Sequence, residues 1–400
     1  MNKRMILIGM LSVGLAAVAL MGMHQFRQVA SWPSLDEEPP LAVPQAASPT
    51  DSWLALEAVM SAVPMEHRDR IRDALEEEGM PAERGIWVLA ADQVEALSNV
   101  MESSSIVSPT RSLASEEPQP SLIPLLPLAQ AQILRGWDSY DGGEPIEAAE
   151  DMLLADRLGQ QLVNGSQSLL MSVIGHSIQT EALAELQELL SLVHEPSVHA
   201  LAAERLPLQA PQEGSLRAAL LRECANIEAL LLAPDQSALA VLSGGPSERL
   251  VGMLYDVDAT VAQHRRVCRA ADAWAALLPV ERGQPPTSIP EGLSEVVTYN
   301  ITGVKLLQML SMDGSLNMVD GEREGQLRRE VLRLLTAARL HGFAHSGQLP
   351  AGADALVPEY LPTVPLDPFT GAALEIASGQ IETSQGEAVW VTLPSAPGDL

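Results

Sequence analysis

Residues 250–275 read LVGMLYDVDATVAQHRRVCRAADAWA, and the spacing of their apolar side chains points to a helical fold class. Leu250, Leu254, Val257, Val261, His264, Cys268, Ala271 and Ala275 recur at alternating steps of four and three. Those steps keep one side of an α-helix apolar, whereas a half-buried strand would need every second residue. Sustained over about three heptads, the stripe is an a/d-like seam of the kind that packs in an antiparallel bundle. The same period extends towards the N-terminus. Ser215 to Leu232 carries Leu216, Leu220, Cys224, Ile227 and Leu231 on one stripe. Ser166 to Val193 carries Leu170, Ile174, Ile178, Leu186, Leu189 and Val193, and stops before Pro196. Leu128 to Tyr140 and Pro145 to Val163 are helical, divided by Asp141-Gly142-Gly143. Towards the C-terminus, Asp320 caps a last helix whose Leu327, Val331, Leu334, Leu335 and Ala338 face inward. Arg323, Arg328, Arg329, Arg333 and Arg339 cover much of its other side, with Gly347 beyond its end.

Outside this body the pattern changes. Ser31 to Ser52 is rich in Pro and acid and reads as a stiff, solvated tether. Trp53 to Val63 is apolar at helical spacing, with Asp51 or Ser52 as its N-cap, and Glu66 to Glu78 is a charged helix stopped by Gly79 and Pro81. Gly85 to Ala90 predicts a short strand and Asp92 to Met101 a helix, before a second linker of Ser, Pro and Glu. After Gly347, Pro-rich turns lead to β-like pieces at Leu374–Ala377 and Val389–Leu393. The expected boundaries are a signal anchor over 1–30, a linker over 31–50, a small helical subdomain over 51–101 and a linker over 102–127. A helical domain over 128–345 and a C-terminal element over 346–400 complete the chain. The fold class is therefore mainly α: an N-terminal transmembrane helix, an antiparallel helical bundle or array, and a small turn-rich β-hairpin element.

The transmembrane expectation rests on Met5 to Met23, MILIGMLSVGLAAVALMGM, an uncharged run behind Lys3-Arg4. About 19 helical residues cover roughly 28 Å, close to the thickness of a bilayer core. The basic flank stays inside and sends the remainder across, giving a single-pass protein of the bacterial inner membrane with its bulk in the periplasm. A cleavable signal peptide, cut near Ala19 after the small-x-small Ala17-Val18-Ala19, is the alternative.

Composition narrows the function. The formal net charge is −28 and aromatics are 3% of the chain, with Lys3 and Lys305 the only lysines. Such a field repels phosphate backbones, which argues against nucleic acid as a partner. The hydrophobic fraction of 46% is ample for a buried core and, with so few aromatics, favours aliphatic helix packing over a β-sandwich.

One stretch is familiar. Residues 340–350 (LHGFAHSGQLP), 355–362 (ALVPEYLP) and 364–371 (VPLDPFTG) resemble the C-terminal segment of a group of uncharacterised bacterial envelope proteins. There a helix ends in G-x-x-P, an L-V-P-x-Y-L turn follows, and P-x-D-P-[FW]-x-G leads into a β-hairpin. Type II secretion pseudopilins carry a related Asp-Pro-x-Gly loop. The resemblance implies an extracytoplasmic setting, and it implies no activity. Read for its physics, the element is a turn. Pro365 and Pro368 hold Leu366-Asp367 extended, Asp367 accepts turn N–H bonds, and Gly371 supplies a permissive φ. A calcium site using Asp367 is the sharper alternative.

Few clusters could carry chemistry. Cys224 and Cys268 are the only cysteines, both on apolar stripes, and a disulfide, two buried thiols and a metal site are all open to them. In the metal reading His264 and Cys268 lie at i, i+4 and Cys224 joins them. His194-Glu195-Pro196-Ser197-Val198-His199 has the wrong spacing for a zinc-protease helix, and its Pro196 interrupts any continuous one. Gly175-His176-Ser177 lies mid-helix and is no nucleophile elbow. No cofactor fingerprint is present. The expected role is that of a membrane-tethered envelope protein that binds a protein partner or is structural. Alternatives are an accessory part of a secretion or pilus-like assembly, and a hydrolase using His176, His194, His199 or Asp367.

Overall fold

The computed structural model describes residues 34–42, 50–64, 66–67, 87–88, 90–101, 106–107, 122, 124–166, 168–208, 215–232, 256–286, 307, 318–386 and 388–391. The expected transmembrane helix, most of the charged helix over 66–78, most of the Ser/Pro linker over 102–127 and the first turns of the 250–275 seam lie outside these residues. Among the described residues no helix is long and apolar enough to cross a membrane.

The protein is mainly helical. Among the described residues the helices are α1 (Asp51–Ala62), α2 (Ala91–Met101), α3 (Leu125–Asp141), α4 (Pro145–Asn164), α5 (Leu169–Leu192), α6 (Pro196–Leu208), α7 (Ser215–Leu232), α8 (Val257–Ala276) and α9 (Met318–Ala344). At the centre lie α3, α4 and α5. Gly136 of α3 abuts Ala148 of α4 while Gln132 reaches Asp151, so these two helices run antiparallel. The turn between them places Gly143 at φ 84°, and Pro145 opens α4 at a position where its missing N–H costs nothing. Helices α4 and α5 meet at two glycines. A Cβ on Gly159 would lie 2.5 Å from the Gly175 carbonyl oxygen, and one on Gly175 would lie 2.7 Å from that of Gly159. Only glycine permits this approach, and it brings Gln160 within 2.8 Å of Gln179 in a buried hydrogen bond.

Around this centre the hydrophobic groups form connected clusters. Trp137, Met152, Leu186, Val198, Leu327, Leu335, Phe369 and Ile381 belong to one, which joins α3–α6, α9 and the C-terminal element. Trp53, Leu56, Leu97, Met101, Leu128, Leu158 and Ile178 belong to a second, so α1 and α2, expected as a subdomain, share their core with α3–α5. A third lies between α7 and α8. Arg217 pairs with Asp272, Cys224 with Cys268 and Glu228 with Arg265. One number rises as the other falls, which makes α7 and α8 antiparallel.

The C-terminal element is a three-stranded antiparallel sheet in the order β1 (Glu375–Ala377), β2 (Gln380–Glu382), β3 (Ala388–Trp390). Ile376 pairs with Ile381, and Ile381 with Val389.

Several local expectations are corrected. The cap of α1 is Thr50, whose Oγ1 accepts from Trp53 N at 3.3 Å and also from Val107 N at 3.1 Å, so tertiary contact holds the start one or two residues earlier. Trp87 and Val88 take a 3-10 turn rather than an extended form. Helix α3 begins at Leu125, inside the expected linker, because Leu125 and Leu128 are buried in the second cluster. Leu170 is 49% exposed although Leu169 and Met171 on either side of it are buried, so it lies off the buried side of α5. Helix α9 begins at Met318, placing Asp320 inside the first turn. Two of its arginines are not on a solvated side: Arg329 and Arg339 are each 1% exposed, because α9 packs against α5, α6 and the C-terminal element at once.

Candidate functional site

Helix α7 brings Cys224, and α8 brings His264 and Cys268, to one buried point, where Cys224 and Cys268 form a disulfide with Cα atoms 6.1 Å apart. Bridging residues 44 apart stabilises the fold by about 4 kcal/mol in the loop-entropy account. His264 is 4% exposed; its Nε2–H donates to the Cys224 carbonyl at 2.8 Å, and the same Nε2 lies 3.4 Å from Cys268 Sγ. Burial pushes the His264 pKa down, against the opposing pull of the Cys224 carbonyl and Glu228. Among the described residues, Cys224, His264 and Cys268 are the one group of three or more His, Cys, Asp or Glu whose ligand atoms converge, all within 4.8 Å.

The outer side of α8 holds something the sequence reading missed. Arg265 grips Glu228 through Nε at 3.1 Å and Nη2 at 2.6 Å, and its Nη1 donates to the Glu38 carbonyl at 2.8 Å. Arg266 Nε donates to the Glu38 carboxylate at 3.0 Å, Arg269 pairs with the same carboxylate, and Arg269 Nη1 reaches the Pro39 carbonyl at 2.7 Å. Leu35 and Leu41 pack on the α7–α8 cluster. The segment 34–42 was expected as a solvated tether; it is docked, because three arginines at helical spacing collect its one well-placed carboxylate and two carbonyls. The available signal was Arg265, Arg266 and Arg269 on the flank of the seam opposite an acidic Pro-rich segment.

The Asp367 turn is a closed hydrogen-bonded unit. Oδ1 accepts from Phe369 N at 2.8 Å and Thr370 N at 3.3 Å, and Oδ2 accepts from Ser384 N at 3.1 Å. Gly371, at φ 72°, donates to the Asp367 carbonyl at 2.7 Å, and Leu374 N donates to Pro365 at 2.9 Å. Burial by itself pushes the Asp367 carboxyl up, but the bonds from Ser384, Phe369 and Thr370 outweigh it and hold the pKa below the usual value. Pro365, Asp367, Pro368 and Gly371 thus make a turn whose carboxylate ties the loop to the β2–β3 connection, with both its oxygens already engaged by N–H groups.

The histidines offered for hydrolysis are dispersed. His176 sits inside α5, 8% exposed, and burial drives its pKa down to about 4 against a hydrogen bond with Gln179. His199 lies on α6, its Nε2–H donating to the Val193 carbonyl at 3.0 Å and its ring 5.5 Å from Phe343. Burial, partly offset by the Val193 bond, lowers its pKa to about 4. His194 is exposed in the loop before α6. No hydrogen bond among the described residues joins His176, His194, His199 and Asp367.

Two more features complete the surface and core. A groove of about 300 Å³ opens between α5, α9 and the β2–β3 region, lined by Gln187, Glu324, Leu327, Arg328, Gln385 and Val389 among others. Inside, Arg329 makes two bonds to Asp156, at 2.8 and 2.6 Å, in a site where the side chains are 1% and 0% exposed. No protein-family model, curated protein or solved structure matches the chain.

Proposed function

We propose that this chain is a membrane-tethered protein of the bacterial envelope, single-pass through residues 5–23, whose helical body lies outside the cytoplasm and binds another protein. The observation that carries the compartment is the Cys224–Cys268 disulfide at the heart of α7 and α8. Such bonds persist in oxidising compartments and are rare in the cytosol. The apolar run behind Lys3-Arg4 and the likeness of residues 340–371 to envelope proteins support the same setting. The binding role is supported by the groove between α5, α9 and the sheet, where Leu327 and Val389 are bordered by Gln187, Glu324 and Arg328. Against hydrolysis stand the separate structural duties of His199 and Asp367 and the burial of His176 inside α5.

The test has two arms. A reporter fused after Leu400 is active only outside the cytoplasm. A photoactivatable crosslinker placed at Arg328 or Gln385, in intact envelopes, gives a discrete adduct that the same probe at exposed Glu204 of α6 does not. A reporter active in the cytoplasm would sink the compartment, and equal labelling at the groove and at Glu204 would sink the binding role.

A further inference from the structure

We propose that Cys224, His264 and Cys268 form a centre with two alternative states: a disulfide when oxidised, and a thiolate–imidazole site for a zinc-type divalent cation when reduced. The geometry is nearly in place. Zinc bonds of about 2.3 Å to sulfur and 2.0–2.1 Å to nitrogen, at a tetrahedral angle, set sulfur and nitrogen about 3.6 Å apart. Cys268 Sγ and His264 Nε2 are 3.4 Å apart. They share one side of α8 because i and i+4 do, while Cys224 faces them from α7. Opening the disulfide requires the two sulfurs to separate to about 3.8 Å, from side chains whose Cα atoms are 6.1 Å apart. The Cys224 carbonyl oxygen, 2.8 Å from Nε2, is a further donor beside the three for a fourth position.

The chemistry balances. A dithiol reductant gives two electrons and two protons, becoming a disulfide itself, as the Cys224–Cys268 bond is cleaved to two thiols. The cation then displaces both thiol protons to solvent. Two thiolates and one doubly charged ion leave no net charge in a site where all three side chains are buried, which removes the main penalty for placing an ion there. His264 contributes as a neutral ring: Nε2 gives up its N–H bond to the Cys224 carbonyl and offers its lone pair, with the proton carried on Nδ1.

The experiment uses full-length protein reduced with dithiothreitol under anaerobic conditions, loaded with zinc, and dialysed into metal-free buffer. The reduced protein is expected to retain about one equivalent of zinc, as a site with these three ligands should, and the oxidised protein none. Cobalt substituted for zinc gives a thiolate-to-metal absorption band. His264→Ala weakens zinc retention by at least about tenfold, since loss of a ligand should exceed the loss of an outer partner. As a measurement independent of whether variants fold, zinc slows alkylation of Cys224 and Cys268 in the reduced wild-type chain. Absence of retained zinc in the reduced protein, or alkylation at the same rate with and without zinc, would overturn the proposal. So would His264→Ala binding zinc as tightly as wild type.

Discussion

Replacing Asp156 by Ala removes the partner of a guanidinium that has nowhere to go. Arg329 donates from Nη1 to Oδ2 at 2.8 Å and from Nη2 to Oδ1 at 2.6 Å, and it is only 1% exposed. Without the carboxylate a full positive charge remains in the cluster that joins α4, α5 and α9. Breaking a buried pair in this way costs about 3–5 kcal/mol. The pair itself is worth much less than that, because both ions had to be stripped of water. Its geometry is also incomplete, since Arg329 Nε has no hydrogen-bond partner. The double replacement Asp156→Leu with Arg329→Met should therefore fall near neutral, or be more stable than wild type by up to about 4 kcal/mol. Urea unfolding followed by far-ultraviolet circular dichroism and by tryptophan fluorescence measures both, with the shift in midpoint read at constant slope. A cost below about 1 kcal/mol for Asp156→Ala would mean that the guanidinium finds water, and the buried lock between α4 and α9 would be refuted. A double variant as unstable as the single one would show instead that the pair contributes net stability.

The Asp367 turn predicts a pH signature. Its folded pKa lies below the ordinary value of 3.8, so its contribution is complete above the unfolded pKa and is lost as pH falls through the folded one. Asp367→Asn should cost about 1–3 kcal/mol at neutral pH, and the gap from wild type should close as the solution is taken below about pH 4. Thermal melts at a series of pH values check this, and a gap unchanged down to pH 3 would contradict it. The glycines offer a paired comparison. Gly159→Ala places a methyl 2.5 Å from the Gly175 carbonyl oxygen and should cost about 1–3 kcal/mol despite alanine's helix preference. Gly325→Ala in α9 meets nothing within 4 Å and should stabilise by up to about 1 kcal/mol. Equal melting temperatures for the two variants would refute the close crossing of α4 and α5.

The helical class and most element positions follow from the order of side chains along the chain. Side-chain periodicity is a local property, written into residues three and four apart, so the stripe Val257, Val261, His264, Cys268 announced α8 without any neighbour being known. The same holds for Ser215–Leu232 and for the Asp-Gly-Gly turn before Pro145, and the Asp367 loop was legible because prolines and glycine constrain their own backbones. Partnership between segments emerges only in the folded molecule. Periodicity says that Cys224 and Cys268 both face a core, but only the antiparallel placement of α7 and α8 makes it one core and one point. It says that Arg329 lies off the apolar stripe of α9, but solvent on that side is a matter of what else packs there, and Asp156 packs there. Glu38 was read as part of a solvated tether for the same reason: the three arginines that hold it lie 227 or more positions away in the chain. Burial and charge pairing depend on distances between segments, and no local pattern encodes those distances.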